Sequence, residues 1–232
     1  MIQGEHLTAA YGKDSPPALR DVTFSVKEGE RVALLGANGA GKSTLLLSIA
    51  GALLPAGGSL SVGGVPVTKE RLPEIRRLGG FLFQNPDDQL FMPTVRDDIA
   101  FGPRNFGMDE GTLSKRMDSL GETLHLSHLL GRPVYHLSGG EKRLAALAGV
   151  LIMEPAVLLL DEPLAFLDGA SRRRLIAVLD SLPQTMLIAT HDLGLARTLC
   201  TGVIILQEGR IAAAGPTGPL LDDPSLLEQW GL

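Results

Sequence analysis

The sequence is poor in cysteine and in aromatic residues, with Cys200 as its one cysteine and aromatic side chains at 4% of 232 positions. A single thiol excludes an intramolecular disulfide and indicates a reducing compartment. For Cys200 itself we expect burial as a small apolar residue. Because aromatic rings are few, Leu, Val, Ile and Ala supply most of the apolar content, which suits buried parallel strands flanked by helices.

The chain also lacks a basic excess and a long apolar run. Its formal net charge of −5 argues against a general nucleic-acid binder. The longest apolar run, LAALAGVLIM, falls short of the roughly 18–20 residues of a membrane-spanning helix. The N-terminus has neither the basic start nor the apolar stretch of a signal peptide. We therefore expect a cytoplasmic protein that reaches a membrane only through a partner.

Strand and helix patterns alternate over most of the chain. The apolar runs RVALLG, AVLLLDEP, TMLIATHD and GVIILQEG predict buried strands, and SLSVGGVPV predicts a hairpin turned at Gly63-Gly64. Between residues 86 and 153 helical periods replace the strand patterns. The alternation predicts a parallel α/β sheet with crossover helices over residues 1–85 and 154–232, interrupted by a helical insertion over 86–153.

A glycine-rich segment, GANGAGKST, lies between a predicted strand and a predicted helix. It matches the pattern G-x-x-x-x-G-K-[ST] at Gly36, Gly41, Lys42 and Ser43. In such a loop the backbone N–H groups surround phosphates, the lysine neutralises the β and γ charges, and the hydroxyl can ligate Mg²⁺. The segment therefore predicts a nucleotide site; an ordinary glycine-rich turn with an accidental lysine is the alternative.

Charged residues follow two later strands at the sheet edge where ligands bind in open α/β folds. Asp161 would reach Mg²⁺ there. Glu162 is placed as the general base that polarises a water. His191 ends the other strand and can touch the γ-phosphate or that water, although a lone histidine is more often structural.

A second glycine pair, in HLSGGEKRLAALAGVL, opens another apolar helix. A flexible turn before a helix start builds an anion site, because the first N–H groups of the helix point outward. Taken alone, the same letters describe an ordinary helix start with Ser138 as the N-cap.

These motifs, in this order, resemble an ABC-type ATPase, the nucleotide-binding subunit of a transporter, over almost the whole chain. The resemblance implies a RecA-like P-loop NTPase core with an N-terminal antiparallel β subdomain and an inserted α-helical subdomain. It implies ATP and Mg²⁺ as ligands. It assigns ATP binding to Tyr11, Gly36, Asn38, Gly39, Gly41, Lys42, Ser43 and Thr44. It assigns catalysis to Glu162, His191 and Gln84, and Mg²⁺ ligation to Ser43, Gln84 and Asp161. It assigns the signature, which acts on the ATP of a second subunit, to Ser138, Gly139, Gly140 and Glu141, and the dimer loop to Asp168.

A longer segment, FLFQNPDDQLFMPTVRDDIAFGPRNFGM, resembles the energy-coupling-factor (ECF) importers, especially their cobalt and nickel members. The resemblance implies a peripheral subunit at the cytoplasmic face of the membrane, in a homodimer or in a heterodimer with a second ATPase subunit. Membrane subunits would be contacted near Asp87, Gln89, Leu90 and Phe91.

ATP-driven dimer closure would then energise uptake of Co²⁺ or Ni²⁺. A vitamin such as biotin is the alternative substrate, and a soluble ABC ATPase outside transport or a small-molecule kinase is the alternative function. The sequence departs from the family pattern at Glu141, where glutamine is commoner, and at Leu164 and Phe166, which are usually small or polar.

Overall fold

The structure of the protein, a computed structural model, describes residues 1–12 and 14–231. In chain order its strands are β1 (Ile2–Ala9), β2 (Leu19–Val26), β3 (Arg31–Leu35), β4 (Gly57–Val62), β5 (Val65–Pro66), β6 (Gly79–Leu82), β7 (Val157–Asp161), β8 (Thr185–Ala189), β9 (Gly202–Gln207) and β10 (Arg210–Pro216). Its helices are α1 (Lys42–Ile49), α2 (Leu72–Leu78), α3 (Val95–Asn105), α4 (Glu110–Thr123), α5 (Gly139–Leu151), α6 (Gly169–Ser181), α7 (Leu193–Leu199), α8 (Thr217–Leu221) and α9 (Pro224–Trp230).

The larger sheet has six strands in the order β10-β9-β3-β8-β7-β6. Strand β3 runs parallel to both β8 and β9, and β7 runs parallel to β8. Every residue of β7 and β8 is buried, as expected for parallel strands covered on both faces. Parallel neighbours place their carboxyl ends at one edge, so the residues that follow β3, β7 and β8 come together there. The predicted parallel α/β sheet is confirmed.

The smaller sheet has the order β2-β1-β4-β5, in which β1 is antiparallel to both β2 and β4. Burial nearly alternates along β2, where Val22, Phe24 and Val26 face the core, as expected for a sheet with one covered face. Strands β4 and β5 pair Val62 with Val65 across the predicted hairpin turn. An antiparallel N-terminal sheet and this hairpin agree with the sequence patterns.

The chain divides into two compact units. The first contains Met1–Phe81, Ala156–Glu162 and Pro183–Leu232; the second contains Leu82–Pro155 and Pro163–Leu182. The sequence placed Pro163–Leu182 with the sheet, because a helix between two strands usually is a crossover. In the structure α6 instead begins beside the start of α5, where a Cβ added to Gly140 would lie 2.7 Å from the Ser171 Oγ atom. That packing groups the segment with the helices of the second unit.

The thiol of Cys200 lies directly after α7 and is buried. Only 6% of the residue is exposed, and burial raises the pKa of the thiol to about 12. The side chain therefore stays protonated at neutral pH and packs as a small apolar group, as the sequence suggested.

Two neighbouring apolar residues of the second unit, Leu90 and Phe91, have opposite environments. Leu90 is 7% exposed and Phe91 is 63% exposed. The Phe91 ring packs edge-to-face on Phe101 at a centroid distance of 4.8 Å. Gln89 also points inward, because its side-chain Nε2 donates to the Ala146 carbonyl at 2.9 Å. Of the two apolar residues expected near the contact with membrane subunits, Leu90 therefore belongs to the core and Phe91 lies on the surface.

We predict that Leu90→Ala lowers the free energy of unfolding by about 2–5 kcal/mol, because it leaves a cavity in a packed core. Phe91→Ala is the matched control and should cost less than about 1.5 kcal/mol, the value of an edge-to-face ring contact. Urea unfolding of both variants measures the difference. Equal losses would contradict the assignment of Leu90 to the core and Phe91 to the surface.

Candidate functional site

The glycine-rich loop leads from the end of β3 to the start of α1 and packs closely against backbone. Gly36 and Gly41 have φ values of 147° and 107°, in the region that favours glycine. A Cβ on Gly36 would lie 2.2 Å from the Leu206 carbonyl oxygen, and one on Gly41 would lie 2.9 Å from the Leu19 side chain. The pattern therefore requires glycine at both positions for conformational and steric reasons.

Lys42 places its ammonium group inside this loop. Its Nζ donates to the carbonyl oxygens of Gly36 at 2.6 Å and Ala37 at 3.2 Å. Burial lowers the pKa of Lys42, while the nearby carboxylates of Glu162 and Asp161 act in the opposite direction. Phosphate oxygens are stronger acceptors than these carbonyls, so the ammonium is placed to exchange its present partners for a polyphosphate.

The first turn of α1 presents backbone donors without a competing anion. Its N-cap, Gly41, supplies no side-chain hydrogen bond, and the first turn contains no acidic residue. Ser43 is exposed in this turn, and Asn38 and Gly39 are exposed in the loop before it. The first N–H groups of a helix and the positive end of its dipole favour an anion at this position.

Asp161 is the last residue of β7 and Glu162 follows it, and the Glu162 carboxylate is held by residues that follow β8. Asp161 and Glu162 are 8% and 9% exposed. The Glu162 carboxylate accepts a hydrogen bond from Thr190 Oγ1 at 3.2 Å, and its other oxygen lies 2.8 Å from His191 Nδ1. Glu162 also has a φ of 43°, which is uncommon for a non-glycine residue and is often found at functional sites. The carboxylate is thus fixed in position near Lys42.

Tyr11 contacts the helix that begins in the phosphate loop. Its hydroxyl lies 3.1 Å from the Thr44 Oγ1 atom, and Thr44 is buried in α1. The Tyr11 residue is nevertheless 64% exposed. Its hydroxyl is therefore anchored while its ring stays accessible for stacking.

In the second unit, the SGG turn begins α5 with a reciprocal cap. Ser138 Oγ accepts from the Glu141 N–H at 3.4 Å, and Glu141 Oε2 accepts from the Ser138 N–H at 2.7 Å. Arg132 donates to the other Glu141 oxygen at 3.0 Å. The bonds from Ser138 lower the pKa of Glu141, and Arg132 adds to the effect. Glu141 therefore closes the turn, which leaves Gly139 and Gly140 as its open part.

Asp168 begins α6 as its N-cap. Its Oδ1 accepts from the N–H groups of Ala170 at 2.8 Å and Ser171 at 2.9 Å. The bonds from Ser171 lower the pKa of Asp168, so the exposed carboxylate stays ionised. A cavity beside it is lined by residues from both helix starts, including Ser138, Gly140, Leu167 and Ser171. The structure thus brings the predicted dimer loop and the signature turn together within the second unit.

The two departures from the family pattern before Asp168 differ in environment. Leu164 is buried, whereas Phe166 is 85% exposed and has a φ of 61°. The Phe166 carbonyl oxygen lies 4.0 Å from the Cβ position of Gly139. A bulky apolar side chain therefore stands on the surface beside the signature turn.

Thr190 and Arg143 contact predicted catalytic residues and were themselves not predicted from the sequence. Thr190 lies between the end of β8 and His191, and His191 was already a candidate catalytic residue. Arg143 is 1% exposed and donates to the carbonyl oxygens of Phe83 and Gln84. Gln84 itself is exposed. The available signal for Arg143 was a charged side chain within the apolar run of α5.

Comparison with known sequences gives matches over nearly the full length of the chain. A sequence model of the ABC transporter family matches residues 19–165. A protein of Gloeobacter violaceus named as an ABC transporter ATP-binding protein is 52% identical over 98% of this chain and 94% of its own length. The energy-coupling factor transporter ATP-binding protein EcfA of Methanoculleus marisnigri is 42% identical over 100% of this chain and 85% of its own length.

Solved structures give the same result. The structure of cbiO1 from Clostridium perfringens, described as part of the ABC transporter complex cbiONQ, has a TM-score of 0.86 and 34% identity and covers 98% of this chain and 93% of its own. The ATP-binding cassette MJ0796, solved as a dimer in a post-hydrolysis state with ADP and Pi, has a TM-score of 0.84 and 26% identity and covers 94% of this chain and 99% of its own. The similarity therefore extends beyond residues 19–165.

We predict that Tyr11→Ala weakens ATP binding roughly 5- to 150-fold, because base–aromatic stacking contributes ~1–3 kcal/mol. Turnover at saturating ATP should persist. Tyr11→Phe and Tyr11→Trp should restore binding, since both keep a ring. Tyr135→Ala removes the other exposed tyrosine and serves as the matched control in a titration with a fluorescent ATP analogue. Unchanged affinity in Tyr11→Ala would show that the ring does not stack on the base.

Proposed function

The chain belongs to the ABC transporter family as an ATP-hydrolysing subunit, and we propose that it powers an importer of the energy-coupling-factor type. Likeness to EcfA and cbiO1 supports this subgroup. So does the segment from Phe81 to Met108, which resembles that group in sequence. Within residues 1–12 and 14–231, no helix combines the length and apolar character needed to cross a membrane. Attachment to a membrane is therefore proposed to depend on partner subunits.

The ATP site is proposed to lie at the glycine-rich loop. Backbone N–H groups of residues 36–44 and the Lys42 ammonium would hold the β- and γ-phosphates, with the Tyr11 ring against the base. Ser43 and Asp161 supply the hard oxygen donors that Mg²⁺ prefers. Bound there, Mg²⁺ would neutralise charge on the phosphates. Gln84 is proposed as a further Mg²⁺ ligand and as a residue that contacts the attacking water, because it matches the glutamine of the family motif.

The observation that carries the catalytic proposal is the fixed carboxylate of Glu162. A general base must hold its oxygen at hydrogen-bond distance from the water that it deprotonates. Thr190 and His191 hold the two Glu162 oxygens, so the carboxylate spends little time in other rotamers. Glu162 would accept the proton of the attacking water, and His191, which is largely exposed, would remain available to the γ-phosphate.

The signature turn is proposed to act on ATP bound by a second copy of the chain. One nucleotide held by Lys42 of one copy and by the Ser138–Gly140 turn of the other would join the two copies. Hydrolysis would break that contact and release them. The dimeric state of MJ0796 supports this arrangement. A homodimer is proposed first, because every predicted motif is complete in this chain; a heterodimer with a second ATPase subunit is the alternative.

The cargo is proposed to be Co²⁺ or Ni²⁺, with a vitamin such as biotin as the alternative. Across the part of the chain that the structure describes, no group of three or more His, Cys, Asp or Glu side chains is arranged to hold a metal ion. Selection of the cargo is therefore assigned to other subunits.

Contact with the membrane subunits is proposed at the aromatic pair Phe91 and Phe101 rather than at Leu90. Both rings are exposed, at 63% and 41%. Asp87 is paired with Lys142 at 2.6 Å, and Asp88, three residues before Phe91, is exposed. Exposed apolar side chains next to an acid suit a partner helix with apolar and basic residues.

We predict that Glu162→Gln retains ATP binding and loses hydrolysis by about 10²–10⁴-fold, because the amide cannot accept a proton from water. With ATP the variant should accumulate as a dimer on size-exclusion chromatography. Lys42→Ala, which should bind ATP poorly and stay monomeric, separates loss of binding from loss of chemistry. Near-normal phosphate release by Glu162→Gln would remove this residue from the mechanism.

We predict that Phe91→Ala leaves ATP hydrolysis by the isolated subunit unchanged but weakens assembly with the membrane subunits. Loss of a hot-spot contact of at least about 2 kcal/mol corresponds to roughly 30-fold weaker binding. Co-purification from membranes and uptake of radioactive Co²⁺ measure the effect. Phe106→Ala, another partly exposed phenylalanine of the second unit, is the control. Normal assembly of Phe91→Ala would contradict the proposed contact.

A further inference from the structure

Arg143 is a buried cation in the second turn of α5, five residues after the Ser138 cap. It is among the largest fully buried side chains of the described residues, with 1% exposed. Its Nη1 donates to the Phe83 carbonyl oxygen at 2.5 Å, and its Nη2 donates to the Gln84 carbonyl oxygen. Burying an ionised side chain is unfavourable unless it is hydrogen-bonded, and an apolar residue would fill the same space at lower cost. The two carbonyl acceptors offset that cost and connect α5 to the backbone of residues 83 and 84.

Two further side chains tie the same segment to α5. Gln89 accepts a hydrogen bond from the Phe83 N–H at 3.3 Å and donates to the Ala146 carbonyl at 2.9 Å. Lys142 pairs with Asp87 at 2.6 Å. Residues 83–89 are thus attached to three positions of α5, Lys142, Arg143 and Ala146, and Phe83 is held at both its N–H and its C=O.

The planar guanidinium explains why arginine suits this position. It presents two parallel N–H donors in a fixed geometry, which match two consecutive carbonyl oxygens. Lysine offers a compact ammonium group on a flexible stem, so it holds two carbonyl oxygens in a less defined geometry than the planar guanidinium does. Arg143 consequently sets the direction of the backbone at Gln84, and with it the starting direction of the Gln84 side chain.

We propose that Arg143 is a positioning residue for ATP hydrolysis, which holds the Gln84 backbone in a fixed relation to the helix that begins at the signature turn. This inference rests on the proposed catalytic role of Gln84. Arg143 contacts Gln84 rather than the nucleotide, so its loss displaces Gln84 without removing any group that binds ATP. A displacement of the signature helix is transmitted to Gln84 through the same two hydrogen bonds.

The first test is Arg143→Gln in the full-length chain. We expect kcat to fall roughly 10- to 100-fold, the loss that follows a misplacement of about 1 Å, with KM for ATP changed less than about threefold. The matched control is Arg116→Gln, because Arg116 donates to the Ile152 carbonyl at 3.2 Å beyond the other end of α5. The control should retain kcat. A fall of kcat in both variants, or in neither, overturns the proposal.

A double-mutant cycle with Gln84→Ala distinguishes positioning from general support of the fold. If Arg143 acts through Gln84, adding Arg143→Gln to Gln84→Ala lowers kcat by less than about threefold, since residues that act as a unit are not additive. A full multiplication of the two effects overturns the proposal. Normal kcat in Gln84→Ala alone refutes the catalytic role of Gln84, and that failure is visible separately from the behaviour of Arg143.

Two further variants keep the test decisive if Arg143→Gln does not fold. Gln89→Met is nearly isosteric and removes both the Phe83 and the Ala146 bonds; it should lower kcat and show the same non-additivity with Gln84→Ala. Arg143→Lys keeps the positive charge but loses the planar pair of donors, and it should recover part of the kcat lost in Arg143→Gln. Thermal melts accompany each assay. Gln89→Met with wild-type kcat and wild-type melting temperature overturns the proposal.

Discussion

The phosphate-binding part of the first unit depends on one buried ammonium group, that of Lys42, which needs hydrogen-bond acceptors. The loop carbonyls and two nearby carboxylates offset the loss of water at Lys42. Asp161 and Glu162 are adjacent and both largely buried. The loop, the lysine and the two acids therefore form one electrostatic unit. Any ligand that takes Lys42 from the Gly36 carbonyl also changes the field at Glu162.

The second unit is organised differently, by hydrogen bonds that converge on one helix. The first turn of α5 is closed by Ser138 and Glu141, and its second turn holds the backbone of residues 83 and 84. Arg132 balances the charge of Glu141. The replacement of the commoner glutamine by glutamate is thus compensated locally, because the helix N-terminus and an arginine both favour a negative charge there.

Much of the fold could be predicted from the sequence, because it depends on local and periodic signals. Apolar runs indicated the buried strands, the Gly63-Gly64 pair indicated the hairpin, and the glycine-rich loop followed its strand as expected. Each of these features is encoded within about ten residues. The site residues of the first unit could also be predicted, because parallel strands end at one edge of the sheet and bring the residues after them together.

Other features depend on contacts between distant residues, and the sequence did not reveal them. Leu90 and Phe91 are adjacent and both apolar, so only tertiary packing could show that one is core and the other surface. The grouping of Pro163–Leu182 with the second unit depends on how α6 packs, which helical periodicity does not determine. Arg143 and Gln89 bind backbone carbonyl groups about 60 residues away in the chain. Because every residue has a backbone carbonyl, the sequence does not indicate which one acts as the acceptor.

The burial of Cys200 has a practical consequence for studying motion in this protein. A thiol with a pKa of about 12 and 6% exposure reacts slowly with maleimides, because the thiolate is the nucleophile and is scarce at neutral pH. The natural chain therefore behaves toward such reagents almost as a cysteine-free background. A cysteine placed at one exposed position, such as Asp88, would carry a spin label or fluorophore without removal of the native thiol.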